Sequence, residues 1–225
     1  MNKSLLLLLA LLALLTACSD GPEKTYWDNG NLKSELQYKN KKLNGECKWY
    51  HSNGQLWRQL TYVDDSKEGH SLRWHDNGQL AEDCWYKDDL LDSVYLSYSM
   101  EGVLVAERHY HRGTLNGPYK KWYQNGEMFQ DGQFVNDTLD GTWYIFYPEG
   151  ELASTATYDR GNGKQVGYDI SGFKNYEVTY AGNRKHGKEI HYASNGKVME
   201  IVEYENGKIV LQGEEQKKHN IYGIK

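Results

Sequence analysis

Proline is scarce, basic residues do not outnumber acidic ones, and only one long apolar run occurs in this 225-residue chain. Lys and Arg total 26 against 31 Asp and Glu, a net charge of −5. That balance supplies no basic face to neutralise phosphates and excludes a general nucleic-acid binder. Three Pro stand beside 23 Gly without Gly-X-Y spacing, which excludes collagen and assigns the glycines to tight turns. No 3.6-residue apolar period follows the N-terminal run, so no amphipathic helix is expected. Neither CxxC, HExxH, an acidic calcium loop, a phosphate loop nor Gly-x-Ser-x-Gly is present, so seryl, cysteinyl and metal hydrolases find no support. What is abundant is aromatic: 19 Tyr and 7 Trp argue for a folded chain, since disordered ones carry few large apolar side chains.

The one apolar run, Leu5 to Leu15, is too short for a bilayer span and fits the core of a secretory signal, with Lys3 before it. Leu15-Thr16-Ala17-Cys18 resembles the lipobox of bacterial lipoproteins. The resemblance implies cleavage before Cys18 and acylation of its sulfur and new amine, which gives stable anchoring. Loss of residues 1–17 removes Lys3 and leaves a net charge of −6, so lipid rather than electrostatics would hold the chain to an anionic membrane. Residues 18–25 then read as the lipidated N-terminus and a polar tether. Ser19 after the Cys resembles enterobacterial sorting to the outer membrane, which places the protein in the cell envelope.

Beyond the tether a period of 24 organises the sequence. Gly30, Gly54, Gly78, Gly102, Gly126 and Gly150 are spaced by 24, Gly172 follows after 22, and Gly196 after 24. Four residues before each stands an aromatic: Tyr26, Tyr50, Trp74, Tyr98, Trp122, Phe146, Tyr168 and Tyr192. Eight residues after each stands another, from Tyr38 and Tyr62 through Phe134 to Tyr204. Two after is Leu, Met or Val, with Lys174 the exception. A second glycine column lies nine residues before the first, at Gly45, Gly69, Gly117, Gly141, Gly163 and Gly187, with Ser93 in its place once. Gly163 keeps its distance to Gly172, so the missing two residues fall between Gly150 and Gly163. This is a repeat array covering residues 26–213, with 214–225 as a C-terminal cap over the last edge.

Each repeat has two short arms rich in Tyr, Trp, Leu and Val around an Asn-Gly turn, the pattern of a β-hairpin. A three-residue loop such as Ser52-Asn53-Gly54, closed by a left-handed Gly and a bulge, sets Tyr50 opposite Leu56. On that register Tyr50, Leu56, Leu60 and Tyr62 share one face. The fold expected is all-β: an elongated single-layer antiparallel meander of about eight hairpins, or about sixteen strands.

The unit Gly-x4-aromatic-x2-Asn-Gly-x-Leu-x5-Tyr resembles the MORN-variant repeat, whose bacterial members include the antitoxin-like YwqK type. The resemblance implies a non-catalytic scaffold or a surface for proteins or membranes. Gly141-Thr142-Trp143-Tyr144-Ile145-Phe146-Tyr147 is also similar to choline- and glucan-binding wall repeats, which hold cations or sugars in aromatic cages. Three functions are therefore expected: an envelope protein-binding or scaffolding module, an antitoxin-like inhibitor, or a carbohydrate- or choline-binding wall module. None requires a cofactor.

The same register turns Trp49, Trp57, Tyr123, Phe129 and Tyr147 to the opposite face, among His51, His75, Arg73, Lys121 and Ser97. Exposed aromatics mixed with polar groups suit a protein or glycan contact surface. Cys47 and Cys84 would lie three strands apart, roughly 14 Å and on opposite faces, and so act as free small apolar residues rather than a disulfide. His51 and His75, two strands apart, are too distant to share a metal. Asp64-Asp65 and Asp88-Asp89 fall in links between hairpins and read as solvated turns.

Overall fold

The computed structural model describes residues 20–212. Cys18, the signal segment 1–17 and the tail 214–225 lie outside the described residues. The chain is all-strand: eighteen strands and no helix occur among the described residues. It divides into two compact units, one running to Asp92 with Met100–Gly102, the other comprising Ser93–Ser99 and Val103 onward.

The first unit contains β1 (Gly21–Tyr26), β2 (Leu32–Lys39), β3 (Lys42–Leu43), β4 (Gly45–Tyr50), β5 (Leu56–Val63), β6 (Ser66–Trp74) and β7 (Leu80–Lys87). They pair in chain order as an antiparallel meander, with β3 and β4 forming one interrupted arm against β2. The second unit takes β8 (Leu90–Tyr98) from Ser93 onward, then β9 (Leu104–His111), β10 (Thr114–Trp122), β11 (Met128–Val135) and β12 (Thr138–Phe146). It continues through β13 (Leu152–Asp159), β14 (Asn162–Tyr168), β15 (Lys174–Ala181), β16 (Arg184–Tyr192), β17 (Val198–Glu205) and β18 (Lys208–Gln212). These too pair antiparallel in chain order. The eight expected hairpins are all present, and β18 begins a ninth.

Gly21–Thr25, expected as tether, is instead the first arm of the first hairpin. Its backbone pairs with β2, Thr25 and Ser34 hydroxyls meet at 2.6 Å, and Lys24 reaches Glu35 at 3.3 Å. Gly21 stands nine residues before Gly30 and opposite Tyr38, so the second glycine column extends into the segment read as linker.

The hairpin tips follow the three-residue loop. His51 N–H donates to Gln55 O at 2.8 Å, Gly54 N–H donates to His51 O at 2.9 Å, and Gly54 has φ 88°. Tyr50 stands opposite Leu56, and the equivalent aromatic meets the equivalent Leu, Met, Val or Lys in every hairpin. One step further the register slips: Trp49 pairs with Arg58, and Trp57 has no partner across the strand. This second bulge corrects the expected faces. Tyr50 and Leu56 are in phase with Lys48 and Gln59, whereas Leu60 and Tyr62 share the other face with Cys47 and Trp49.

The links are hairpins as well. Asp64 and Asp65 have φ 49° and 74°, and Asp88 and Asp89 have φ 50° and 66°, the geometry of type I′ turns. Next to the turn the entering arm carries two extra residues, as where Tyr62 pairs with Lys67 but Leu60 pairs with Ser71. Between β13 and β14 the register is continuous from Asp159↔Asn162 to Ser154↔Gly167. The two residues missing from the 22-residue step are therefore those of this bulge.

One face is buried and the other open. Apart from Ala81, the buried side chains all lie four, six or eight residues after a tip glycine or seven before one. Cys47, Leu60, Ser71 and Cys84 form one such row across β4 to β7. The two cysteines thus share a face, contrary to the expectation, because the tip bulge restores their phase. They are free and buried, and burial raises both thiol pKa values, that of Cys84 to about 11.

Candidate interaction surface

Neighbouring repeats are stitched at both ends of the strands. At the tips, Asn53 Nδ2 donates to Asp76 O at 2.8 Å while its Oδ1 accepts from Gln55 N at 3.0 Å. Asn29, Asn77 and Asn125 repeat both bonds. The residue three before the tip glycine adds a second stitch. Trp27 Nε1 donates to Tyr50 O at 3.1 Å, His51 Nε2 meets Trp74 O at 3.1 Å, and the Tyr123 and Tyr147 hydroxyls donate to Phe146 O and Tyr168 O at 2.8 and 2.7 Å. At the links, Asp65 Oδ1 accepts from Leu43 N at 2.7 Å and Asp89 Oδ1 from Lys67 N at 3.0 Å. That bond holds the Asp89 carboxyl below its ordinary pKa. The acidic pairs are therefore turn stitches, not only solvated side chains.

These bonds place the five aromatics in different settings. Trp49 lies on the buried face with its ring 6.4 Å from Tyr62. Tyr123 and Tyr147 are fixed at hairpin tips by their hydroxyls, and Phe129 packs 5.0 Å from Tyr123. Trp57, at the bulge, is 40% exposed beside His51. Within the first unit, Trp49 and Trp57, expected on one face, thus differ in setting.

The open face carries groups that the register had hidden. In the first unit His70 stacks on Trp85 at 4.9 Å and meets Asp83 at 2.6 Å, with Trp85 48% exposed. Glu46 takes Lys48 and Gln59, each at 2.6 Å. In the second unit Tyr144 stacks on Phe146, and Glu177 holds Lys174 and Lys164 at 2.9 and 3.0 Å. Those two ammonium groups draw the Glu177 carboxyl down to about 2. Lys174, the exception in its column, sits 4.1 Å over the Tyr192 ring. A period-two reading from the tip bulge would have found Trp85 and Tyr144.

Among the described residues no three His, Cys, Asp or Glu side chains converge as a metal site would require. No helix of the described residues is long and apolar enough to cross a membrane. The arrangement offers rows of aromatic and charged side chains, suited to contact with another surface.

Comparison with known proteins bears on the repeat. The MORN repeat variant model matches residues 19–40, 43–64, 67–88, 115–136, 139–160 and 185–206. The two hairpins between these matches are β8–β9, with Ser93 in the glycine column, and β14–β15, after the short link. No curated protein matches the sequence. Among solved structures, the crystal structure of TcdB2-TccC3 is similar over 89% of this chain and 16% of its own length, at 11% identity and a TM-score of 0.21. Six matches spanning more than half of the sequence, on hairpins of one geometry, show that the chain belongs to the MORN repeat variant family.

Proposed function

We propose that this protein is a non-catalytic binding or scaffolding module of the cell envelope, held to the membrane through lipid on Cys18 and engaging a protein partner with its open face. The observation that carries the binding role is that face itself: Trp57 and Trp85 stand 40% and 48% exposed among charged side chains in one unit. Exposed aromatics in a polar rim are the groups that dominate protein interfaces. The anchor rests on Leu15-Thr16-Ala17-Cys18 and the apolar run before it.

Two measurements test the reading. Cys18→Ser should move the protein from the membrane to the soluble fraction, and equal retention of the variant would remove the anchor. Affinity capture from detergent-solubilised envelope should lose its specific partner at least tenfold with Trp57→Ala/Trp85→Ala, at unchanged circular dichroism. Undiminished capture would exclude the open face as the contact.

A further inference from the structure

We infer that a hollow on the buried face of the second unit is a binding site for an uncharged sugar ring. The hollow measures about 340 Å³, at the small end of the range in which proteins hold small ligands. It exists because the repeat is broken here. Ala156 and Ser154 make a low floor, and Gly167 beside Ser154 has no side chain because the Tyr176 ring fills its place, 1.9 Å from where a Cβ would stand. Trp143, Tyr158 and Tyr180 line the hollow with Ala156 and Ser154.

The chemistry of the lining selects the ligand class. Every residue around the hollow is uncharged, and burial keeps the Tyr158 and Tyr180 hydroxyls protonated. Gln165 is held in place: its Nε2 donates to Ser154 Oγ and Tyr176 Oη, both at 2.8 Å, and its Oε1 accepts from the Tyr180 hydroxyl at 3.0 Å. Ser154 thereby accepts from Gln165 and keeps its own proton to donate. The Gln130 carboxamide, half-buried at the rim, has no partner among the described residues and offers both a donor and an acceptor. A sugar hydroxyl both donates and accepts, and its ring carbons suit the aromatic and Ile145 edges. A quaternary ammonium fits less well. Trp143 is 4% exposed, covered by Tyr119 and Phe134, so it offers no open ring face, and no carboxylate lines the hollow; Glu189, close enough to act on Tyr180, is already paired with Lys185 and His191.

The hollow uses none of the residues on which the open-face reading rests, so either can fail alone. The test titrates the purified full chain with methyl glucoside, N-acetylglucosamine, maltose and chitobiose, using saturation-transfer NMR and calorimetry. Choline chloride and glucuronate serve as charged comparisons. A saturable signal is expected from at least one neutral sugar and from neither charged probe. Gln130→Ala should weaken binding at least tenfold, and Ala156→Leu should abolish it by filling the floor. If Ala156→Leu fails to fold, Gln130→Ala decides, since its side chain lies outside the Gln165 network. No saturable binding by any of the four sugars, choline binding as tight as theirs, or unchanged binding by Gln130→Ala overturns the inference.

Discussion

Ser93 has φ 99°, a backbone conformation that an L side chain adopts only under strain. It faces Tyr110 in β9, where the other seven repeats place glycine opposite the aromatic that stands eight residues after a tip. Ser93→Gly should therefore stabilise the protein by about 1 kcal/mol, the low end of the cost of such strain. Chemical denaturation checks this, and an unchanged midpoint would mean that the neighbours, not φ, set the glycine column. Glu177 supports a second expectation at this scale. Its folded pKa, about 2, lies below the ordinary 4.5, so the unfolded chain binds the proton more readily. Its contribution is complete above about pH 5 and declines as pH falls toward 2. Glu177→Gln should cost stability at pH 6 and little at pH 2. An equal cost at both values would show that shape rather than charge matters there.

At the scale of the hairpin, the tip asparagines do more than turn the chain. Asn53 closes its own loop and bonds the next one, so Asn53→Ala loses two exposed hydrogen bonds and should cost about 1 kcal/mol. Asn77→Ala removes the equivalent pair of bonds, and the double variant should show the sum, as for independent sites. A double variant far from additive would reveal that the tips act as one cooperative ladder. Much of the hairpin was legible in sequence. The aromatic before and the Leu after each glycine predicted the three-residue loop, because only that loop sets the two columns opposite. The second bulge, at Trp57, was not legible. It answers to no special residue type, and it alone decides that Trp49 turns inward with Tyr62. The type I′ links hid for a related reason: Asp64-Asp65 read as solvated acids, whereas both residues take positive φ and one carboxylate caps a neighbouring backbone N–H. The stitching role of Trp27, His51, Tyr123 and Tyr147 escaped because three residue types share it. The small floor of the hollow needed the pairing of β13 with β14 before its residues came together.

At the scale of the whole molecule, a repeat array invites the view that any 24 residues are equivalent, since each unit rests mainly on its neighbours. One pair within the second unit contradicts that view. A Cβ on Gly132 would lie 2.2 Å from the Trp143 ring, so the large side chain occupies the space that the missing one leaves. The pair crosses a link, with Gly132 on β11 and Trp143 on β12. Two deletions of equal length therefore separate repeat arithmetic from packing. Deleting 126–149 joins Asn125 to Gly150, keeps a tip of the same form, and removes Gly132 and Trp143 together. Tyr119 then meets Ala156, a small partner, while Gly117 keeps an aromatic opposite in Tyr158. Deleting 114–137 joins Gly113 to Thr138 and retains Trp143, but brings Arg108 to the position Gly132 held. Arg108 already lies between the Tyr95 and Tyr119 rings, at 5.4 and 5.9 Å, and losing Tyr119 strips one of them as Trp143 is forced aside. The first deletion should fold with the strand signature of the parent. The second should be less stable than the first by about 2 kcal/mol or more, in the range for overpacking a filled core. Urea denaturation of both gives the comparison directly. Equal midpoints would show that the array tolerates the exchange, and that the Gly132–Trp143 complement is local detail rather than a constraint on the order of repeats.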